Sequence, residues 1–119
     1  MKYFSIYIPD STTNGGNPTP EQQEAMQAFV GDAIARGEFI SGGGFLSLAK
    51  TGVVARRSGG TTAIIDGPYV ESKELIGGFA ILNYASREAA IEGARRFLAV
   101  AGDGECVTYQ IAEGPHQES

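Results

Sequence analysis

The stretch Asp66-Gly67-Pro68-Tyr69-Val70-Glu71-Ser72-Lys73-Glu74 places a carboxylate, a phenol and a run of alternating charge close together. Pro68 has no N–H and fixes φ, so strand pairing stops there, and Gly67 can take the conformation that precedes a proline. The Asp66 carboxylate cannot bond the amide two residues on, because that residue is Pro68. It must reach a later amide, such as that of Tyr69, or a side chain from elsewhere. Two readings follow. Asp66 ties a rigid corner, or Asp66 and Tyr69 line a cleft in which Asp66 acts as acid, base or orienting group. Glu71, Lys73 and Glu74 are either solvated loop charges or a device in which Lys73 pairs with Glu71 or Asp66 and fixes the loop over a pocket. An ion pair across a dimer is a third use. Asp66 and Lys73 are thus the candidate catalytic residues.

Arg56 and Arg57 alternate along an extended segment and point to opposite faces. A guanidinium binds carboxylate or phosphate bidentately, so Arg56 is a candidate contact for a small anionic ligand, with Tyr69, Glu71 and Tyr7. The competing reading is a charged edge strand that resists aggregation. Tyr3, Tyr7, Tyr84 and Tyr109 can form an amphipathic pocket wall, or pack at an interface with their hydroxyls at its wet edge. Other chemistry is disfavoured. Gly42-Gly43-Gly44 lacks the Lys-Ser/Thr of a phosphate loop, and kinked or closely packed backbone is the better account. Cys106 has no neighbouring histidine or helix start and reads as a buried thiol. His116 is the sole histidine, so neither a Ser-His-Asp set nor a metal-ligand cluster can be drawn, and no cofactor is expected.

The elements that must position these residues are legible in the 119-residue chain. It reads as one domain over 1–113 with a flexible tail over 114–119. A net charge of −5 disfavours nucleic acid as a partner. No apolar run reaches the roughly 20 residues of a membrane span. The single cysteine fits a reducing cytoplasm.

Lys2–Ile8 reads as a strand, with Phe4, Ile6 and Ile8 on one face and Tyr3, Ser5 and Tyr7 on the other. Thr19 and Gln22 form a capping box for a helix with Pro20 at its first position. Its apolar stripe is Met26, Phe29, Val30, Ala33 and Ile34, and Gly37 stops it. Phe39-Ile40 opens a second extended segment loosened by Gly42–Gly44. Val53–Arg57 and Thr61–Ile65 form a hairpin around Ser58-Gly59-Gly60. A strand over Gly78–Ala85 precedes a helix capped by Ser86, with a stripe of Ala90, Ile91, Ala94, Phe97 and Leu98. Cys106–Ala112 is the last strand.

The order β-α-β, hairpin, β-α-β gives an α+β subunit, an antiparallel sheet with two helices on one face. The helix-free face, assigned Tyr3 and Tyr7 from the first strand, is too apolar to stay wet, because the strands carry apolar residues on both sides. No segment remains to cover it, so a homodimer packed sheet to sheet is expected.

The same residues resemble a known family. "DGPYVESKELIGGF", preceded by "GVVARRSGGTTAII", is similar to the YCII-related family in its DGPF-motif branch, with Tyr69 where that branch carries Phe. The resemblance implies a ferredoxin-like subunit that pairs as a dimeric α+β barrel. A His–Asp pair suggested as catalytic in relatives has no counterpart, since His116 lies in the tail. Branch members are associated with sigma factors, which implies a regulatory role by association alone. The expected function is a homodimeric module that binds a small molecule or a partner protein. The alternative is a cofactor-free enzyme that acts on a small anionic metabolite through an acid/base carboxylate.

Overall fold

The computed structural model describes residues 1–10, 19–45, 52–65 and 77–113. The described elements are β1 (Lys2–Pro9), α1 (Pro20–Ala35), β2 (Phe39–Gly44), β3 (Val54–Ser58), β4 (Thr61–Ile65), β5 (Gly78–Asn83), α2 (Arg87–Ala101) and β6 (Gly104–Gln110).

The helix ends follow their capping chemistry. The Gln22 amide donates to Thr19 Oγ1 at 3.1 Å, and the Thr19 amide donates to Gln22 Oε1 at 2.9 Å. Two amide donors that the helix cannot satisfy are thereby closed reciprocally. At the other end Gly37 takes φ 75°, and the Gly37 and Glu38 amides donate back to the Ile34 and Ala33 carbonyls. This is the Schellman arrangement, which a β-carbon at position 37 would strain. Ser86 caps α2 through the Ala89 amide at 3.1 Å.

β2, β5, β1 and β6 form one antiparallel sheet in that order. β1 and β5 are central, and each crossover carries one helix, which is the ferredoxin-like topology. α2 joins the layers: its Phe97 meets Tyr7 of β1 edge-on at 5.3 Å and Phe29 of α1 at 6.1 Å. β3 and β4 make a separate two-stranded sheet around Gly59-Gly60. Both glycines have positive φ, as a two-residue type I′ turn requires. The molecule measures 45 × 43 × 20 Å. Its short dimension is the depth of a sheet and one helix layer, at roughly 10 Å each.

The strand register corrects the face assignment made from the sequence. Tyr3 pairs with Leu82 and Gln110, Ser5 with Ala80 and Thr108, and Tyr7 with Gly78 and Cys106. Paired residues share a face, and this face meets α2, through Tyr3 and Tyr84 clustered with Ala90 and through Tyr7 against Phe97. Tyr3 and Tyr7 are therefore under the helices, and the helix-free face carries Phe4, Ile6 and Ile8. The cause is the shape of α2. Ala90 and Gly93 are its buried positions and leave room for aromatic rings. The Tyr7 hydroxyl reaches carbonyl groups at the end of α2. Counting apolar residues favours Phe4, Ile6 and Ile8 as the inner set, but volume and hydrogen bonding decide otherwise.

Two further expectations are corrected. Ile34 is 57 % exposed and Ile91 39 % exposed, so neither belongs to the inward stripe of its helix. The glycines of β2 do not loosen it: Gly42, Gly43 and Gly44 pair with Ala80, Phe79 and Gly78. Close approach requires glycine at position 42, since a β-carbon there would come within 2.7 Å of the Phe79 carbonyl oxygen. The irregularity in β2 is a register shift between Phe39 and Ser41.

Candidate functional site

The residues singled out from the sequence fall into three places. Asp66, Tyr69, Glu71 and Lys73 lie outside the described residues, as does the tail from 114. Arg56 lies on β3, opposite Ala63 and on the same face as Val54 and Ile65. Arg57 points to the other face, where its Nη1 donates to Thr62 Oγ1 at 3.4 Å. The two guanidiniums thus diverge, as strand alternation dictates.

Tyr7 is held on the helix side. Its hydroxyl lies 3.3, 3.2 and 3.1 Å from the carbonyl oxygens of Ala101, Gly102 and Asp103 and donates to this set, which closes the C-terminal end of α2. Burial, then the charges of Asp103 and Asp10, hold its pKa above the usual tyrosine value. Tyr7 therefore remains a neutral donor at physiological pH, suited to capping carbonyls.

A polar network that the sequence did not disclose joins α1, β2 and α2. Glu38 Oε1 lies 3.5 Å from Arg36 Nη1 and 3.8 Å from Arg96 Nη2, and Arg36 also pairs with Asp32 at 2.9 Å. The Tyr84 phenol packs against α2 beside this group. Burial, then Glu38, pushes its pKa up, while Arg96 pulls the other way. Tyr3 Oη and Arg96 Nε are buried without a hydrogen-bond partner. Adjacent to Tyr3 along β1, Ser5 Oγ and Thr108 Oγ1 share a 2.8 Å hydrogen bond. Glu38 and Arg96 meet only through the packing of α1 on α2, so no local spacing signals the pair.

The helix-free face is the larger feature. Phe4, Ile6 and Ile8 of β1 stand level with Ile81 and Phe79 of β5, and with Tyr109, Val107 and Glu105 of β6. Phe4 and Phe79 are ring neighbours at 6.0 Å, and Phe45 stacks on Phe79 at 5.5 Å. None of these side chains is buried, and Tyr109 is 58 % exposed. Contiguous apolar surface of this kind is uncommon on a monomer and marks a contact or ligand surface. Its chemistry is apolar contact with a few polar groups at the ends: Lys2, Glu105 and the Tyr109 hydroxyl. Among the described residues no cluster of three or more histidine, cysteine, aspartate or glutamate side chains could hold a metal ion. No described helix is long and apolar enough to cross a membrane.

The model of the YCII-related domain matches residues 4–113. The chain belongs to the YCII-related family. One solved structure similar to it is the 5-chloro-2-hydroxyhydroquinone dehydrochlorinase of Burkholderia phenoliruptrix AC1100, in complex with 2,5-dihydroxybenzoquinone. It is 16 % identical, with 98 % of this chain and 99 % of that chain covered and a TM-score of 0.46. Comparison with curated proteins gives no match.

Proposed function

We propose that the chain is a homodimeric small-molecule-binding module in which two copies face each other through their helix-free sheets. The observation that carries this reading is the apolar surface formed by Phe4, Ile6, Ile8, Phe79, Ile81 and Val107, which no described segment of the chain covers. Two twisted sheets pack about 10 Å apart, so opposed copies would interleave these side chains into a shared core. Full burial of an exposed side chain of this size contributes roughly 1.5–3 kcal/mol, and these half-buried side chains would each add part of that on association. A ligand in this arrangement sits between the sheets, its apolar body against Phe79 and Val107 and its polar atoms toward Tyr109 or the charged ends.

Binding is preferred to catalysis because the described residues of this face hold one phenol and a single carboxylate, Glu105. The acid/base alternative depends on Asp66 and Lys73, outside the described residues. The test is sedimentation equilibrium at micromolar concentration with native mass spectrometry of the same sample. A species of twice the chain mass that carries a small adduct, lost on mild activation, is the expected result. A monomer overturns the dimeric reading. A dimer with no adduct, whose tyrosine fluorescence no small aromatic or aliphatic acid perturbs, overturns ligand binding and leaves the pair as a partner-protein surface.

A further inference from the structure

We propose that the β3–β4 hairpin is an arm that clasps the acidic end of a second copy of this chain. The proposal rests on the dimeric reading above and adds a second, electrostatic contact to it.

Among the described residues the hairpin stands alone. Its strands pair with each other and with neither edge of the four-stranded sheet, and it packs substantially on none of the other described elements. An isolated two-stranded hairpin is marginal in water and needs a surface to lie on. This one is also apolar beyond what solvent exposure favours. Ile64 is 64 % exposed and Val53 59 % exposed, on an element whose described residues include no acidic side chain.

Charge indicates what it lies on. The described hairpin carries Arg56 and Arg57, a charge of +2, within a chain of net charge −5, so the rest of the chain carries −7. Three of the fourteen carboxylate side chains of the chain, those of Asp10, Asp103 and Glu105, lie where β1 ends and β6 begins. Asp10 and Asp103 are joined there by a backbone hydrogen bond of 3.0 Å, and Glu105 stands on the helix-free face opposite Ile8. All three are exposed. This end borders the face through which the copies are proposed to meet. A basic arm and an acidic end on the same chain are self-complementary, which a two-fold pair uses twice. The occupant that fits is therefore a second copy of this chain.

A charge-swap experiment on the full chain tests it. One variant is Arg56→Glu with Arg57→Glu; the other is Asp103→Lys with Glu105→Lys. In a homodimer of either variant both arm contacts become repulsive. In the mixed pair, one contact has its charges exchanged and the other is wild type, so both attract. Sedimentation equilibrium should show each variant alone dimerising at least tenfold more weakly than wild type, and the mixture recovering most of that loss as a heterodimer. Circular dichroism confirms that each variant is folded. If wild type is dimeric and the variants match it, the arm does not clasp the partner, while the sheet-to-sheet reading stands. If each variant is weakened but the mixture does not recover, the pairing of arm with acidic end is wrong. If wild type is monomeric, both readings fall together. Concentration-dependent protection of the Val54–Ile65 amides from hydrogen exchange gives an independent check. Protection that does not change with concentration places the arm on its own chain and overturns the proposal.

Discussion

Tyr84 lies across Gly93, and its hydroxyl occupies the volume where a β-carbon at position 93 would stand. The contact ties the end of β5 to the middle of α2, and it explains why the helix tolerates glycine in its interior. Glycine costs about 1 kcal/mol there relative to alanine. A methyl group would displace the phenol from a layer in which Tyr84 is only 7 % exposed and packs with Tyr3 and Ala90.

Gly93→Ala should therefore destabilise the protein despite the better helix former. Overpacking costs about 1–3 kcal/mol, more than the gain in propensity. Urea denaturation should show a lower midpoint at unchanged slope. Tyr84→Phe, which removes the nearest atom, should recover part of the loss in the double variant. A Gly93→Ala protein more stable than wild type would mean that Tyr84 moves aside freely.

Tyr84 also predicts an alkaline limit. Burial, followed by the charge of Glu38, raises its pKa above the usual 10.0. Below that value the phenol is protonated both folded and unfolded, and its contribution is fully present. As pH rises past it, the unfolded chain releases the proton first, so stability falls through the interval up to the folded pKa. Tyr7 shifts in the same direction, from burial first and then Asp103 and Asp10. Thermal unfolding from about pH 8 to about pH 11 should decline more steeply for wild type than for Tyr84→Phe. Parallel curves would remove Tyr84 as the cause.

Much of this architecture is legible in local chemistry. Thr19 with Gln22, Ser86, Gly37 and Gly59-Gly60 each mark an end or a turn, because caps and turns depend on residues a few positions apart. The order of elements then leaves few topologies. What is not legible depends on distant volume. Tyr3 lies inward with Tyr84 against Ala90, and Tyr7 against Phe97, contacts set by residues far along the chain. β2 pairs through backbone that the glycine side chains cannot announce. Of the site residues read from sequence, Tyr7 has its place settled under α2 and Arg56 its place on the hairpin. Glu38 and Arg96 were missed because only helix packing brings them together.

The capping box at α1 offers a clean test of local stability. Thr19→Ala removes the side-chain acceptor for the Gln22 amide, while the backbone amide at position 19 keeps its bond to Gln22 Oε1. The expected cost is about 1 kcal/mol, visible as a lower melting temperature, and Thr19→Asp should retain most of the stability. Both variants should assemble like wild type. A loss of assembly in Thr19→Ala at full folding would show that this helix end touches the partner.

The two faces of β1 make opposite predictions, and one pair of variants separates them. Ile6 stands on the helix-free face beside Phe79 and Val107, whereas Tyr7 points under α2 and donates to its terminal carbonyls. Ile6→Asp places an unpaired charge in the proposed sheet-to-sheet core. At about 3–5 kcal/mol it should raise the dimer dissociation constant at least 100-fold, because every 1.4 kcal/mol is tenfold. Tyr7→Phe keeps the ring against Phe97 and loses only the hydroxyl. It should cost the fold about 1 kcal/mol and leave dimerisation unchanged. Sedimentation equilibrium and urea denaturation of both variants decide between the faces. Dissociation by Tyr7→Phe, with Ile6→Asp still dimeric, would reverse the assignment and place the interface on the helix side of the sheet.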